Sequence, residues 1–255
     1  MAADTMRSRR AIVGTSLKAY MDFHQTRAWM ETLATRWTAN PPHGIDVFAI
    51  PDFVSLTQTR AILDGTGIAL GAQNVFWEDR GAFTGEVTAP VLAQAGCRYV
   101  EIGHAERRAL FGETDSIVGR KVAACVRAGM VPVLCLGEAE KGDVGSAVVQ
   151  CMNQFGHATH GLPPDTEIVV AWEPVWAIGQ PEPASAAYIR EVGGALGAAL
   201  ATWTGVRIIY GGSAGPGLLG DVGDVVDGLF LGRFAHNIDN FFRVLAEAAA
   251  KPPRR

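Results

Sequence analysis

No stretch of the chain reaches the roughly 18 uninterrupted apolar residues that a membrane-spanning helix needs. The opening MAADTMRSRR has no apolar run behind its arginines, so it does not read as a secretory leader. Cys-x-x-Cys is missing. The cysteines at 97, 125, 135 and 151 stand apart among apolar or small residues, which predicts reduced core thiols and a cytoplasmic location. Basic charge is not in excess: 22 Lys and Arg face 26 Asp and Glu, a net charge of -4. That excludes a bulk positive field for nucleic acid, and any anion site must be built locally. Gly-x-Gly-x-x-Gly after the first strand, a P-loop and a Gly-x-Ser-x-Gly elbow are also absent. No linker or change of composition divides the 255 residues, so one domain is expected over 1–255, with flexible tails at 1–9 and 251–255.

What the chain does have is apolar residues, 48% of the total against 19% charged, enough for a large core. They recur in short β-branched runs at 11–13, 45–50, 68–73, 99–102, 131–136, 168–172, 206–210 and 226–231. Unbroken apolar character over such lengths suits strands buried on both faces, as in a parallel sheet. Between them lie stretches of helical spacing, among them 116–128, 184–203 and 237–250. Eight strands leave about 32 residues per unit, one strand and one helix each. The expected fold is therefore α/β, a single (β/α)8 barrel.

In such a barrel chemistry gathers where strands end and helices begin. Those ends carry Ser16 and Lys18, Gln73 and Asn74, His104, Glu138, Glu173, the turn 211–213, and Gly232 with Arg233. Glu173 closes an apolar run beside Trp172 and Trp176; a carboxylate kept partly dry there has the proton affinity of a general base. The plain alternative is a strand-end carboxylate capping a loop. The apolar segment 174–180 follows it, and either packs permanently on the rim or closes over a ligand and shuts out water. His104 stands at a strand end and a helix start, where the helix dipole favours the neutral ring. Lys18 would attract an anion at the mouth of an acidic protein, although most lysines are surface charges. The glycine turns 211–213 and 232–233 expose backbone N–H groups on strands seven and eight, a common phosphate position. His157 and His160 are spaced by three but sit among Gly and Pro, so they read as a loop, and no third metal ligand accompanies them.

Together these pieces resemble the triosephosphate isomerase family from Gly14 to about Phe242, in the family's order. The motifs are Gly71-Ala72-Gln73-Asn74, Gly81-Ala82-Phe83-Thr84-Gly85-Glu86 and Glu101-Ile102-Gly103-His104-Ala105-Glu106-Arg107-Arg108. Phe111-Gly112-Glu113-Thr114-Asp115, Val133-Leu134-Cys135-Leu136-Gly137-Glu138 and Tyr210-Gly211-Gly212-Ser213 also match. The most specific is Ala171-Trp172-Glu173-Pro174-Val175-Trp176-Ala177-Ile178-Gly179, which is similar to the family signature with its lid. The resemblance implies that Glu173 moves a proton between adjacent carbons and that a neutral His104 shuttles protons between their oxygens. It further implies that Lys18 holds phosphate and offsets enediolate charge, that Gly179, Ser213 and Gly232 offer N–H groups to the phosphate, and that Glu106 supports the centre. No metal or organic cofactor is expected. The third loop would reach a second copy, with Thr84 near the partner's Lys18 and His104 and Glu86 pairing with the partner's Arg107, hence a homodimer.

Several positions depart from the family pattern. Ser16 stands where the family has Asn, Ala105 where it has Ser, and Arg233 and Phe234 follow Gly232 in place of a second Gly and a small residue. Gln180-Pro181-Glu182-Pro183 replaces the usual hinge, and its prolines stiffen the far side of the lid. Arg233 either contacts the anion or swings outward. The leading expectation is the glycolytic and gluconeogenic interconversion of dihydroxyacetone phosphate and glyceraldehyde 3-phosphate. The alternative is an isomerase of a four-carbon ketose phosphate, such as L-erythrulose 1-phosphate to D-erythrulose 4-phosphate, for which Ser16 and Ala105 leave room. A barrel that binds a phosphorylated metabolite without turnover is a third reading, opposed by the retained Lys18, His104 and Glu173.

Overall fold

The computed structural model describes residues 10–251. Eight strands form a closed parallel barrel in sequential order: β1 (Ala11–Ser16), β2 (Ile45–Ile50), β3 (Ala69–Ala72), β4 (Cys97–Ile102), β5 (Val131–Leu136), β6 (Ile168–Trp172), β7 (Val206–Tyr210) and β8 (Gly228–Leu231). Among the described residues nine α-helices accompany them: α1 (Phe23–Ala39), α2 (Leu56–Leu63), α3 (Ala89–Gln94), α4 (Ala105–Phe111), α5 (Asp115–Arg127), α6 (Val144–Ala158), α7 (Ala186–Ala199), α8 (Leu218–Val222) and α9 (Ile238–Ala250). None of these helices is long and apolar enough to cross a membrane. The expected (β/α)8 architecture is therefore present.

Period-two alternation sorts the strand side chains into two cores. Ile12, Phe48, Ile50, Tyr99, Val133, Cys135, Val169, Ala171, Ile209 and Phe230 fill the barrel interior. Val13, Val47, Leu70, Val100, Leu134, Val170, Ile208 and Leu229 point outward into the layer between barrel and helices. Apart from Asp46, Ala69, Arg98 and Arg207 the strands are buried on both faces, which is why the runs read as continuous rather than alternating.

Strand β1 extends to Ser16, three residues beyond the expected end. Gly14 interrupts the apolar run, but it leaves space for the Phe48 ring, which a Cβ there would meet at 1.9 Å. Thr15 Oγ1 donates to the Leu231 carbonyl at 3.0 Å and stays in the sheet. Strand β8 begins later than expected, at Gly228, where a Cβ would strike the Ile12 carbonyl at 1.6 Å. Ahead of it, Asp227 accepts from the Ile208 N–H at 2.7 Å and so tethers the entry to β7. The histidine pair also differs from expectation. His157 lies in the last turn of α6 with Nδ1 2.8 Å from the Asn153 carbonyl, and only His160 falls in the turn that follows.

Helix α1 starts on a capping box: Asp22 accepts from the Gln25 N–H at 2.8 Å and Gln25 accepts from the Asp22 N–H at 3.0 Å. It seats Trp29 against the rim, where the indole donates to the Ala235 carbonyl at 2.8 Å. All four cysteines are free and buried, Cys135 inside the barrel. Of the expected tails, residues 1–9 and 252–255 lie outside the described residues, while the Lys251 ammonium donates to the Val226 carbonyl at 2.7 Å.

Candidate active site

The carboxyl ends of β1, β4, β6, β7 and β8 open onto one pocket of about 100 Å³. Ser16, Lys18, His104, Glu106, Glu173, Gly179, Ser213, Gly232 and Arg233 all line it, so the residues singled out from the sequence converge. Thr84 and Glu86 do not; they lie on an exposed loop between β3 and α3.

Two non-glycine residues adopt positive φ among the described residues, Lys18 at 52° and Ser213 at 53°, and both line this pocket. Such backbone strain persists where the surroundings over-determine it, and functional sites are where it collects. Leu17 N–H donates to the Ile50 carbonyl at 3.0 Å, and Gln73 Nε2 donates to the Lys18 carbonyl at 2.9 Å. These bonds hold the Lys18 turn so that its ammonium faces inward. There it donates to Glu106 Oε1 at 2.8 Å and stands 3.1 Å from His104 Nε2. Burial lowers the Lys18 pKa, but Glu106 and Glu173 outweigh it and the net direction is upward, toward the charged form.

His104 caps α4. Its Nδ1 accepts from the Glu106 N–H at 3.2 Å, and its Nε2 lies 3.3 Å from Glu173 Oε2. The N–H at Nδ1 favours the neutral ring with its proton on Nε2, as the helix-start position predicts. The facing carboxylate pulls the other way: burial lowers the His104 pKa, yet Glu173 more than reverses this and raises it to about 9. A ligand oxygen that separates Nε2 from Glu173 removes that pull and leaves the neutral ring that the Nδ1 contact favours.

Glu173 itself is buried and sits directly after β6 with its N–H bonded to the Leu136 carbonyl at 2.8 Å. Two glycines make room for it. A Cβ on Gly137 would meet the Glu173 carbonyl at 2.0 Å, and one on Gly211 would meet its Cγ and Oε1 at 2.5 Å. Gly211 thus serves the carboxylate rather than a phosphate: its N–H already donates to the Trp172 carbonyl at 2.9 Å, which leaves Gly212 and Ser213 as the free part of that turn. On the far side of Glu173 lies a second cavity, of about 310 Å³, lined in part by Ala105, Cys135 and Val175. The missing hydroxyl at Ala105 faces this space.

The segment after Glu173 is a 3₁₀ turn (Val175–Ala177) that half-buries Trp176 and Ile178. Glu138 anchors its start, accepting from the Trp172 indole at 3.1 Å, the Trp176 indole at 3.0 Å and the Tyr188 hydroxyl at 2.7 Å. This strand-end carboxylate, one of the candidates for chemistry, is a structural hub. Ser213 Oγ lies within 2.9 Å of the Ala177 and Gln180 carbonyls. Arg233, exposed on the pocket rim, donates to the Gly179 carbonyl at 2.6 Å. Beyond the prolines, the Ala184 N–H donates to the Tyr210 hydroxyl at 3.1 Å. The segment therefore lies over the pocket, clasped from β7 and β8.

Asn74 is structural too: Lys121 donates to it at 2.7 Å and to Glu113 at 2.5 Å. Arg107 pairs with Glu113 and stacks 4.6 Å over the Phe111 ring. Sequence reasoning missed two groups. Gln73 was noted only as a strand end, and its grip on Lys18 has no sequence signal. Glu101 was noted only inside a motif; its parity with inward Tyr99, two residues back, was the available signal.

Chemically, the pocket holds a carboxylate, an imidazole and an ammonium in mutual contact, with backbone N–H groups and a guanidinium opposite. A small phosphorylated carbonyl compound fits that charge pattern. The model of the family described as triosephosphate isomerase matches residues 11–248. The chain is 45% identical to an L-erythrulose-1-phosphate isomerase of Pectobacterium atrosepticum, over 95% of this chain and 97% of that protein. It is 39% identical to one from Mycolicibacterium smegmatis, over 94% of each. It is 41% identical to a triosephosphate isomerase of Saccharopolyspora erythraea, over 82% of this chain and 85% of that protein.

Proposed function

The chain belongs to the triosephosphate isomerase family and is an isomerase, and we propose that it acts on a four-carbon ketose phosphate of the erythrulose type, not on a triose phosphate. The likeness to erythrulose-phosphate isomerases over nearly the whole chain carries this reading. The site agrees with it at Ser16, which lines the pocket and is smaller than its family counterpart; Ala105 lines only the cavity beyond Glu173. The triose reading, first in the sequence analysis, becomes the alternative, favoured by the Saccharopolyspora relative.

In the proposed reaction L-erythrulose 1-phosphate enters with its phosphate toward Gly179, Ser213 and Gly232, with Arg233 and Lys18 balancing its charge. The carbonyl oxygen takes the place of Glu173 Oε2 at His104 Nε2. Glu173 removes the proton from C3, giving a C2–C3 enediolate whose charge Lys18 offsets. His104 gives its proton to O2 and accepts the one from O3. Glu173 then returns a proton to C2, and D-erythrulose 4-phosphate leaves. Each step moves a proton between groups already present, so neither a redox cofactor nor a metal is called for. Closure of segment 174–180 matters because an enediolate phosphate exposed to water can eliminate phosphate.

The exposed loop carrying Phe83, Thr84 and Glu86 supports a homodimer, and the free buried cysteines support a cytoplasmic setting. The test is kcat/KM for purified protein on L-erythrulose 1-phosphate and on glyceraldehyde 3-phosphate. The four-carbon substrate should be preferred by about 10³ or more. A triose value near the diffusion ceiling of about 10⁸ per molar per second would overturn the proposal.

A further inference from the structure

Glu101 is a buried carboxylate to which the isomerisation assigns no step. It is 4% exposed and stands on β4 with the inward parity of Tyr99. Burial pushes its carboxyl up, His104 and Ser16 draw it back, Glu173 pushes it up again, and Lys18 lowers it. A carboxylate in a barrel otherwise packed with Ile, Val and Phe is costly, and an apolar side chain would fill the space at less cost.

What the carboxylate does is hold one proton. Ser16 Oγ donates to Glu101 Oε2 at 2.7 Å, and Ser16 lines the substrate pocket. A hydroxyl has a single proton and two lone pairs. With the proton committed to Glu101, Ser16 shows only acceptor character to the pocket. A side-chain amide at this position would instead offer a donor. The Ser16–Glu101 pair thus reverses the polarity of the position. Both oxygens on the reacting carbons of a triose phosphate require donors as negative charge develops on them. The four-carbon substrate adds a primary hydroxyl, which is itself a donor.

We propose that Glu101 is a positioning residue for substrate choice: it fixes the Ser16 hydroxyl so that Ser16 Oγ accepts a hydrogen bond from the terminal hydroxymethyl group of the four-carbon ketose phosphate. This rests on the four-carbon reading above. A triose phosphate carries only hydrogen where the four-carbon ketose carries that extra hydroxymethyl on the reacting carbon, and so leaves the Ser16 lone pairs unpaired in a dry pocket; the pair discriminates by an unmet acceptor as well as by space.

The experiment measures kcat/KM on L-erythrulose 1-phosphate and on glyceraldehyde 3-phosphate for wild type, Glu101→Leu, Ser16→Ala and the double variant. Inhibition by inorganic phosphate serves as the check that each variant is folded. The four-carbon to three-carbon ratio should fall about tenfold or more in each single variant. The double variant should be no worse than the poorer single, because the two residues act as one unit. Should Glu101→Leu fail to fold, Ser16→Ala alone decides by the same ratio. Equal losses on both substrates, or no loss on either, would overturn the inference while a wild-type four-carbon preference left the functional reading standing. A wild type that prefers the triose would overturn the functional reading itself.

Discussion

The barrel carries two polar clusters, one at each mouth, and they are built on opposite plans. At the amino-terminal mouth Arg207 donates to Asp46 at 2.5 Å, to the Tyr99 hydroxyl at 3.3 Å and to Glu167 at 3.3 Å. Arg98 donates to the same Glu167 at 2.5 Å. Each group there has a partner of complementary sign or polarity, and the backbone is regular. At the carboxyl mouth, His104 Nε2 is contested by Lys18 at 3.1 Å and by Glu173 at 3.3 Å, one offering a proton and the other seeking one. Both positive-φ non-glycine residues of the described chain are here. The first cluster is satisfied and stabilises; the second is poised, and a ligand can improve it. What marks the reactive end is competition for one atom together with a strained backbone.

Three substitutions or conditions would break or sharpen this contrast. The largest effect belongs to Gly211→Ala. Its new Cβ would lie 2.5 Å from Glu173 Cγ and Oε1, so the carboxylate must move while the barrel keeps its packing. A displacement of this kind should lower kcat about 100-fold with little change in thermal stability, read by initial rates and calorimetry. Next is Arg207→Met, which leaves Asp46 and Glu167 without their shared guanidinium. It should cost about 2 kcal/mol of stability in urea unfolding while the folded protein keeps its kcat. A drop in kcat of the same size as that of Gly211→Ala would erase the distinction between the two mouths.

The smallest effect is a pH dependence of stability. The folded-state His104 pKa of about 9 lies above its ordinary 6.5, so the charged ring stabilises the folded state. That contribution is complete below pH 6.5 and is lost as pH rises through 9. Between these limits wild-type Tm should fall more steeply than that of His104→Gln. Parallel curves for the two proteins would remove His104 from the poised cluster.

Most of the barrel could be read from the sequence because strands buried on both faces must be apolar throughout, and eight such runs occur. Errors fell at strand ends. The first run was ended at Val13 because the role of Gly14, space for the Phe48 ring, depends on a neighbouring strand. His157 looked like a loop residue although α6 runs one residue past it. In the site, Lys18, His104 and Glu173 were found from strand-end position and motif alike. Long-range pairing was out of reach. Glu138 gave no hint that it gathers Trp172, Trp176 and Tyr188, nor Glu101 that it faces Ser16 across 85 residues of sequence. The pull of Glu173 on His104 was out of reach too, because helix position is local whereas that carboxylate arrives from β6.

The most direct measurement follows solvent deuterium into product. Wild type and Glu173→Gln would be incubated with L-erythrulose 1-phosphate in heavy water and the carbon-bound protons at C2 and C3 followed by NMR. A carboxylate base that takes a proton from one carbon and returns one to the next predicts deuterium in the wild-type product. For Glu173→Gln it predicts turnover lower by about 10³ with inhibition by inorganic phosphate retained. Undiminished turnover in Glu173→Gln would contradict it.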